Sequence, residues 1–508
     1  MTQINAVVNP AIPDAYITIV PPSIAVVEGV PTDQIAVVGT ATWGPVNAPT
    51  PVSPSNVSQI FGSMQPRLYD LGTAVAAAAL AGGNNFRVVR VTDGTDTAAS
   101  VVIGSTGVTI TSKYTGTGAN ADTVTIAAGT APTSVKVTIA RPNRAPEVFD
   151  NITGTANALW VAIAAAINNG QSGLRGPSNL VVAAAGASTT APANGTYSLT
   201  GGVDGVASIT ASVLVGADTG TRSGMYALRG IGPALLVLAD CSDYTTIPTQ
   251  EALALSEGFY AICVGPSGEY TNLATVASNL ATAGCDTYAV KVLVGDWCYF
   301  LDTVNGGTLR LISPQGFMAG QLASQLPFES SLNKPIVGIV GTQKSNAKQV
   351  YAEADLQVIG QGRLDVIANP CPGGAYYGGR FGKNASSNAA INGDNYSRMV
   401  PYLAFSLAGT VGQFVGEVQT ADQRADAIAA VDNFLYGLWN ATPVPWISNP
   451  NGTQPYSIVC DDTNNPSASA AAGKEVMDVR VQLGPIIFQF LLNLQAGQTV
   501  TVATAPTL

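Results

Sequence analysis

Residues 35–46 read IAVVGTATWGPV. A run of apolar residues, Ile35 to Val38, empties into Gly39, and a second glycine follows at Gly44. Such a run reads as a buried strand. A strand that opens into Gly-x-x-x-x-Gly is how many nucleotide-binding chains begin. Here that reading fails on chemistry. A phosphate loop needs Lys-Ser/Thr straight after the second glycine, to reach the outer phosphates and the metal. This chain has Pro45 and Val46 there, and a proline has no N–H to offer. The dinucleotide form Gly-x-Gly-x-x-Gly fails too, because position 41 is alanine. Gly39 and Gly44 are therefore read as turn residues, and no bound cofactor is expected.

Working outward, the strand begins a βαβ-like unit. SPSNVSQIFG offers a short helix with Ser55 or Asn56 as its cap, and RLYDLGTAVAAAALAGG a longer one stopped by Gly82-Gly83. FRVVRV, residues 86–91, is the next strand. From about residue 93 to Gly205 the texture changes to short Thr/Val strands between Gly/Asn/Thr turns, with one helix in ANALWVAIAAAINNG. This is read as a β-rich module inserted into the α/β unit. Strands then resume in ALLVLAD, FYAICVG, AVKVLVG and PIVGIVG, alternating with helices in IPTQEALALSEG and YTNLATVASNLATAG. That alternation predicts a largely parallel sheet with helices on its faces.

The last part reads as α+β. TADQRADAIAAVDNFLYGLWN has a capping box at Thr420 and Gln423, and an apolar stripe at Ile428, Val431, Leu435 and Leu438. KEVMDVRVQL alternates as a strand before Gly484-Pro485 turns the chain into IIFQFLLNL. Both ends carry strand-like stretches beyond joints. YITIV is fenced by Pro13 and Pro21-Pro22, and TVTVATAPTL follows QAGQ. A strand so placed is suited to extend another molecule's sheet.

Composition removes several function classes. With 508 residues, two to four domains are expected. Charged residues make up 11%, against roughly 25% in ordinary soluble chains, which fits surfaces that end against other protein. The net charge of −10, with no basic cluster, argues against a nucleic-acid partner. Histidine is absent, so Ser-His and Cys-His nucleophile schemes and the usual zinc ligand are missing. The six cysteines lie far apart and read as buried thiols in a reducing compartment. The N-terminal residues have no basic, apolar-core signal pattern. MVPYLAFSLAGTVGQFVG, residues 399–416, is broken by Pro401 and three other polar or glycine positions, so a buried core helix is expected there and no membrane insertion.

Isolated acids offer weak chemistry. Asp122 and Asp204 sit in Gly-rich turns without the twelve-residue calcium loop and its closing Glu. Asp240 and Asp243 follow a strand end, where α/β enzymes keep acids, but no base or phosphate cradle accompanies them, and helix capping by Asp243 or a neighbouring Thr is the simpler reading. Gly341 to Ser345 holds a Gly-x-x-Lys-Ser fragment without the first glycine. No catalytic or metal-binding residues are expected.

Taken in order, PDAYITIV, VVGTATWGPVNAPTPV, NVSQIFG, AGGNNFRVVRV, KYTGTGANADTVTI, SLTGGVDG, SPQGFMAGQLASQLPFESSLNKPI, YAEADLQVIGQGRLDVIANPCPGGAYYGGRFG and CDDTNNPSASAAAGKEVMDVRVQLGPIIFQFLLNLQ resemble the tail sheath protein of contractile bacteriophages and related contractile injection systems. The shared order of these motifs spans nearly the whole chain. The resemblance implies a multidomain α/β and α+β fold: a mixed α/β core sheet, an inserted β-rich domain and extended terminal arm strands. It implies an N-terminal arm over 1–22, core over 23–92 and 207–374, the β-rich outer domain over 93–206, an α+β inner domain over 375–495 and a C-terminal arm over 496–508. It implies a non-enzymatic subunit that stacks in hexameric rings around an inner tube and contracts to drive the tube through the host envelope. Implied partners are copies of itself, the tail tube protein, and baseplate and tail terminator proteins, in a virion tail assembled in the host bacterial cytoplasm. Tyr16, Ile17, Ile19, Val500 and Val502 are the arm residues expected to anchor in neighbouring subunits. A surface-layer or adhesin-type structural protein, which would need a secretion signal, and an α/β enzyme using Asp240 and Asp243 are the other readings.

Overall fold

A computed structural model describes residues 29–173, 175–492 and 494, with the backbone of Gln3–Ile4 and Tyr16–Ile17. The chain divides into two compact units. The larger comprises Thr32–Arg398 and Pro485–Leu508, the smaller Met1–Pro31 and Met399–Gly484.

At the centre of the larger unit is a six-stranded sheet. Its order is Val290–Leu293, Tyr260–Val264, Leu235–Leu238, Gln34–Gly39, Asn85–Arg90 and Thr50–Val52. All neighbours pair in parallel except the edge strand Thr50–Val52. Every residue of Gln34–Gly39 is buried, because helices cover both faces, which is the condition for a parallel sheet. Alternate side chains go to opposite cores. Ile35 and Val37 pack with the helices Leu71–Leu80 and Gln315–Ala323, while Ala36 and Val38 face the core that includes Leu253, Val276 and Ile359.

Helix Leu71–Leu80 starts where Asp70 accepts from Thr73 N at 2.8 Å. Helix Gln315–Ala323 is buried along its whole length. It crosses Leu71–Leu80 closely enough that a Cβ on Gly316 would sit 2.8 Å from Ala74 O, and one on Gly320 would collide with Ala78 O. Small residues at that spacing let the two backbones touch.

The module between residues 93 and 205 is β-rich with one helix, as its texture predicts. One sheet is ordered Glu147–Ile152, Val135–Ala140, Thr123–Ala128, Gly195–Ser198; the other Val181–Ala185, Val108–Ser112, Ser100–Ile103. Helix Asn157–Asn169 packs on Val181–Ala185 and inserts the fully buried Trp160 into the shared core.

Two expectations are corrected. PIVGIVG is no core strand: Gly341–Thr342 pairs antiparallel to Cys298–Asp302, Pro335 makes an isolated bridge to Gly378, and Val337 and Val340 are exposed. Pro335 removes a donor and Gly338 turns the chain at φ 94°. The helix expected to be buried, Asp394–Gly412, is amphipathic instead, with Tyr402, Leu403 and Ser406 buried and Phe405 exposed. Residues 485–492, which follow the strand Asp478–Val481, form no strand.

In the smaller unit, helix Ala421–Trp439 is capped by Thr420 and buries Val431, Leu435 and Leu438. Tyr402 packs against Phe434 and Trp446, with ring centroids 6.0 and 5.4 Å away. A two-stranded antiparallel sheet, Tyr456–Val459 with Asp478–Val481, completes the unit.

Candidate functional site

In a sheet of this type the chain reverses its direction of spreading at one point, and ligands of α/β enzymes bind there, beyond the carboxyl ends of the strands. Here the reversal lies between Gln34–Gly39 and Leu235–Leu238. The chain itself closes the crevice. Thr40 N donates to Tyr69 O at 2.6 Å, Leu71 N to Thr40 O at 3.0 Å, and Ala239 N to Val38 O at 2.9 Å. Gly39 is required by this closure: a Cβ there would lie 2.7 Å from Tyr69 O.

Asp240 occupies the end of the crevice in a left-handed conformation, φ 53°. Its carboxylate accepts from Tyr69 N at 3.0 Å and Ser313 N at 3.3 Å. Burial pushes its carboxyl up to about 6, against those hydrogen bonds and Arg310; the neighbouring Asp70 adds to the rise and is itself raised by burial to about 6. Asp243 does what the bland reading expects, accepting from Thr245 N at 2.9 Å to cap a helical turn. Gly341 to Ser345 also serves a cap: Thr342 and Ser345 form a capping box, and Lys344 turns to Asp355 at 3.1 Å and to the Tyr351 ring at 4.5 Å.

The rest of the glycine loop forms a joint. Trp43 leaves the core and enters the apolar centre of the β-rich module. Its indole N–H donates to Ser112 Oγ at 2.9 Å, Tyr114 meets its edge at 5.0 Å, and Arg141 lies 3.9 Å over its ring. Arg141 in turn pairs with buried Asp122 through two contacts of 2.6 Å. Arg90, fully buried, donates to the carbonyls of Gly44, Thr115 and Asp204 at 2.9, 2.7 and 3.2 Å. It thus binds the loop and both necks of the module at once. The Asp204 carboxylate takes Arg67 at 2.7 Å and Thr117 N at 2.7 Å. The two acids weighed as calcium ligands are engaged with arginines.

One charged cluster lay beyond the sequence reading. Lys291, fully buried on the edge strand of the sheet, meets Asp365 at 2.5 Å and Asp394 at 3.1 Å. Asp365 also accepts from the backbone of Val366, Phe381 and Gly382 at 2.7, 2.9 and 3.0 Å. Asp394 accepts from Tyr260 at 2.6 Å and from the Ser331 hydroxyl. Burial alone would lower the lysine's pKa, but the two carboxylates hold it above its ordinary value. Every lone pair and proton is engaged, the condition for a buried charge to persist. The lysine inside AVKVLVG was the available signal, since an unpaired charge would not sit in a buried strand.

Of the expected arm residues, Tyr16 and Ile17 lie in a short strand whose backbone pairs in parallel with Gln3 and Ile4. Ile19, Val500 and Val502 lie outside the described residues. In the smaller unit, Tyr456–Val459 and Asp478–Val481 each keep an edge with no partner strand among the described residues. Two strands alone make a marginal sheet, and open edges are templates for a further strand.

No protein-family model matches the sequence, and no curated protein does. Solved structures do share this architecture, and they are sheath proteins. The sheath tail protein of Desulfitobacterium hafniense superposes with a TM-score of 0.56 at 15% identity, over 87% of this chain and 91% of its own. The sheath tail protein of Listeria innocua gives 0.56 at 13%, over 89% and 95%. The sheath complex of an extracellular contractile injection system, PVC, in its contracted state gives 0.55 at 11%, over 97% and 99%. The chain has the tail sheath fold.

Proposed function

We propose that this chain is the structural subunit of a contractile tail sheath, polymerising as stacked hexameric rings around an inner tail tube. Contraction of the sleeve drives the tube through the host envelope. The observation that carries the reading is the likeness to sheath tail proteins along nearly the full length of both chains. In this proposal the arms, 1–22 and 496–508, link neighbours through Tyr16, Ile17, Ile19, Val500 and Val502. Residues 23–92 and 207–374 form the core, 93–206 face outward, and 375–495 face the tube. Tail tube, baseplate and terminator proteins are the partners, in a virion tail assembled in the host cytoplasm.

The subunit acts without catalysis. Strand addition through a flexible joint keeps subunits linked while rigid bodies rotate and slide. A metastable extended sleeve needs no nucleotide, which agrees with a glycine loop spent on closing the sheet. Coupling of about 1–3 kcal/mol per subunit sums over many rings to a large driving energy.

Negative-stain electron microscopy of the full chain, beside a version trimmed of residues 1–22 and 496–508, tests this. Sleeves or rings from the full chain and monomers from the trimmed one are expected. A full chain that stays monomeric even with an inner tube present would overturn the proposal.

A further inference from the structure

The buried lysine and its two acids meet at the edge of the central sheet. Asp365 N donates to Val292 O and Val294 N to Asp365 O, each at 2.9 Å, so residue 365 extends the sheet beyond Val290–Leu293. Lys291 and Asp365 thus come together across one pair of neighbouring backbones, although 74 residues separate them. The side chains of Lys291, Asp365 and Asp394 are all closed to solvent. Their contacts are those of an acyl-transfer centre. Lys291 Nζ, 2.5 Å from Asp365 Oδ2, is a nucleophile beside a carboxyl carbon. Asp394 Oδ1 lies 3.1 Å from the same nitrogen, a base within reach, and the hydroxyls of Tyr260 and Ser331 fix its orientation. The Lys383 carbonyl, 3.1 Å from Nζ, holds the nitrogen in place. The far oxygen of Asp365, Oδ1, accepts from Val366 N at 2.7 Å and Phe381 N at 2.9 Å. Two backbone donors aimed at one oxygen stabilise the negative charge that attack on the carbon develops there.

We propose that Lys291 and Asp365 are a self-modification site, condensing in a single turnover within one chain to form an intramolecular amide. The ion pair is the reactant state. One proton passes from the ammonium to Asp365 Oδ2, leaving an amine and a neutral acid. The amine attacks Cγ, and Asp394 takes a second proton from Nζ and returns it to Oδ2. The Cγ–Oδ2 bond then breaks and water leaves, with the Nζ–Cγ bond in its place. Asp394 ends as it began, a carboxylate. Once that water has escaped, burial keeps the amide from hydrolysis. The link closes residues 291 to 365 into a covalent loop and restricts the unfolded chain as a disulfide would, in a protein whose six cysteines are all free. It does not depend on the sheath reading.

The test is the intact mass of the purified full chain, measured denatured. A mass one water below that of the sequence is expected, with a branched tryptic fragment joining residues 291 and 365 and no cleavage after Lys291. Lys291→Arg keeps the charge but not the amine and should show the full sequence mass. Asp365→Asn gives the same amide with ammonia leaving, so its linked mass should equal the parent's. Asp394→Asn lacks the base and should link about 100-fold more slowly. A folded parent chain at its full sequence mass overturns the proposal, whatever the variants do. So does a loss of water that maps to a cyclic imide at Asp93-Gly94, or a branch carried by Asp394 in place of Asp365.

Discussion

Lys291 places one positive charge between two fully buried carboxylates. Its replacement by methionine would leave Asp365 and Asp394 uncompensated in the core. Removing one partner of a buried charge group costs about 3–5 kcal/mol; urea denaturation of Lys291→Met at neutral pH should show a loss of that size. Asp70 and Asp240 behave in the opposite sense from an ordinary paired carboxylate. Burial lifts both to about 6, from near 4 in an unfolded chain. The folded chain therefore holds these protons more tightly than the unfolded one, so stability from this pair is absent near pH 7 and grows as pH falls from about 6 to about 4. In thermal melts between those limits, an Asp70→Asn, Asp240→Asn double variant should show less gain on acidification than the parent chain. At this scale the sequence was legible only in part. Asp243 could be read as a cap because its partner is two residues away. Lys291 could not be assigned partners, since Asp365 and Asp394 lie 74 and 103 residues along the chain.

Periodicity and glycine placement carried most of the element-scale reading, because a strand buried on both faces must be apolar throughout. IAVVG, LLVL and YAICV obey this, and VKVL departs from it at Lys291, whose charge is paired with Asp365 and Asp394. PIVGIVG has the same composition but not the same fate, since a proline and a turning glycine fall inside it. Nor could local pattern show that Tyr456–Val459 would be the partner of Asp478–Val481, as register between distant strands leaves no mark in either. The contact between helices Leu71–Leu80 and Gln315–Ala323 makes a sharp prediction. Gly320→Leu has no room against Ala78, and overpacking of this kind costs typically about 1–3 kcal/mol; the denaturation midpoint should fall without a change in slope. Trp43→Ala removes the wedge that fills the β-rich module from outside. A loss of about 3–5 kcal/mol is expected for such a truncation, and limited proteolysis should then cut first between residues 93 and 205.

For the whole molecule, the motif order was more informative than any motif, because each turn tolerates many sequences while their succession fixes the path of the chain. That is why the fold was readable while no family model matches. The same reasoning separates folding from assembly. The trimmed chain keeps every element of the sheet, both helix layers and the β-rich module, so its thermal melt should match that of the full chain even where sleeves no longer form. A lowered melt would mean that the termini brace their own subunit. The neck of the module has a practical consequence. Asp93 N bonds Gly205 O at 2.8 Å, and Thr97 and Val203 exchange both their backbone hydrogen bonds at 3.1 Å, so the chain enters and leaves through one doorway. A foreign domain whose own ends lie side by side could be spliced beyond that doorway, with Arg90 and Asp204 left in place, and the sleeve proposed above would then display a chosen cargo at every subunit.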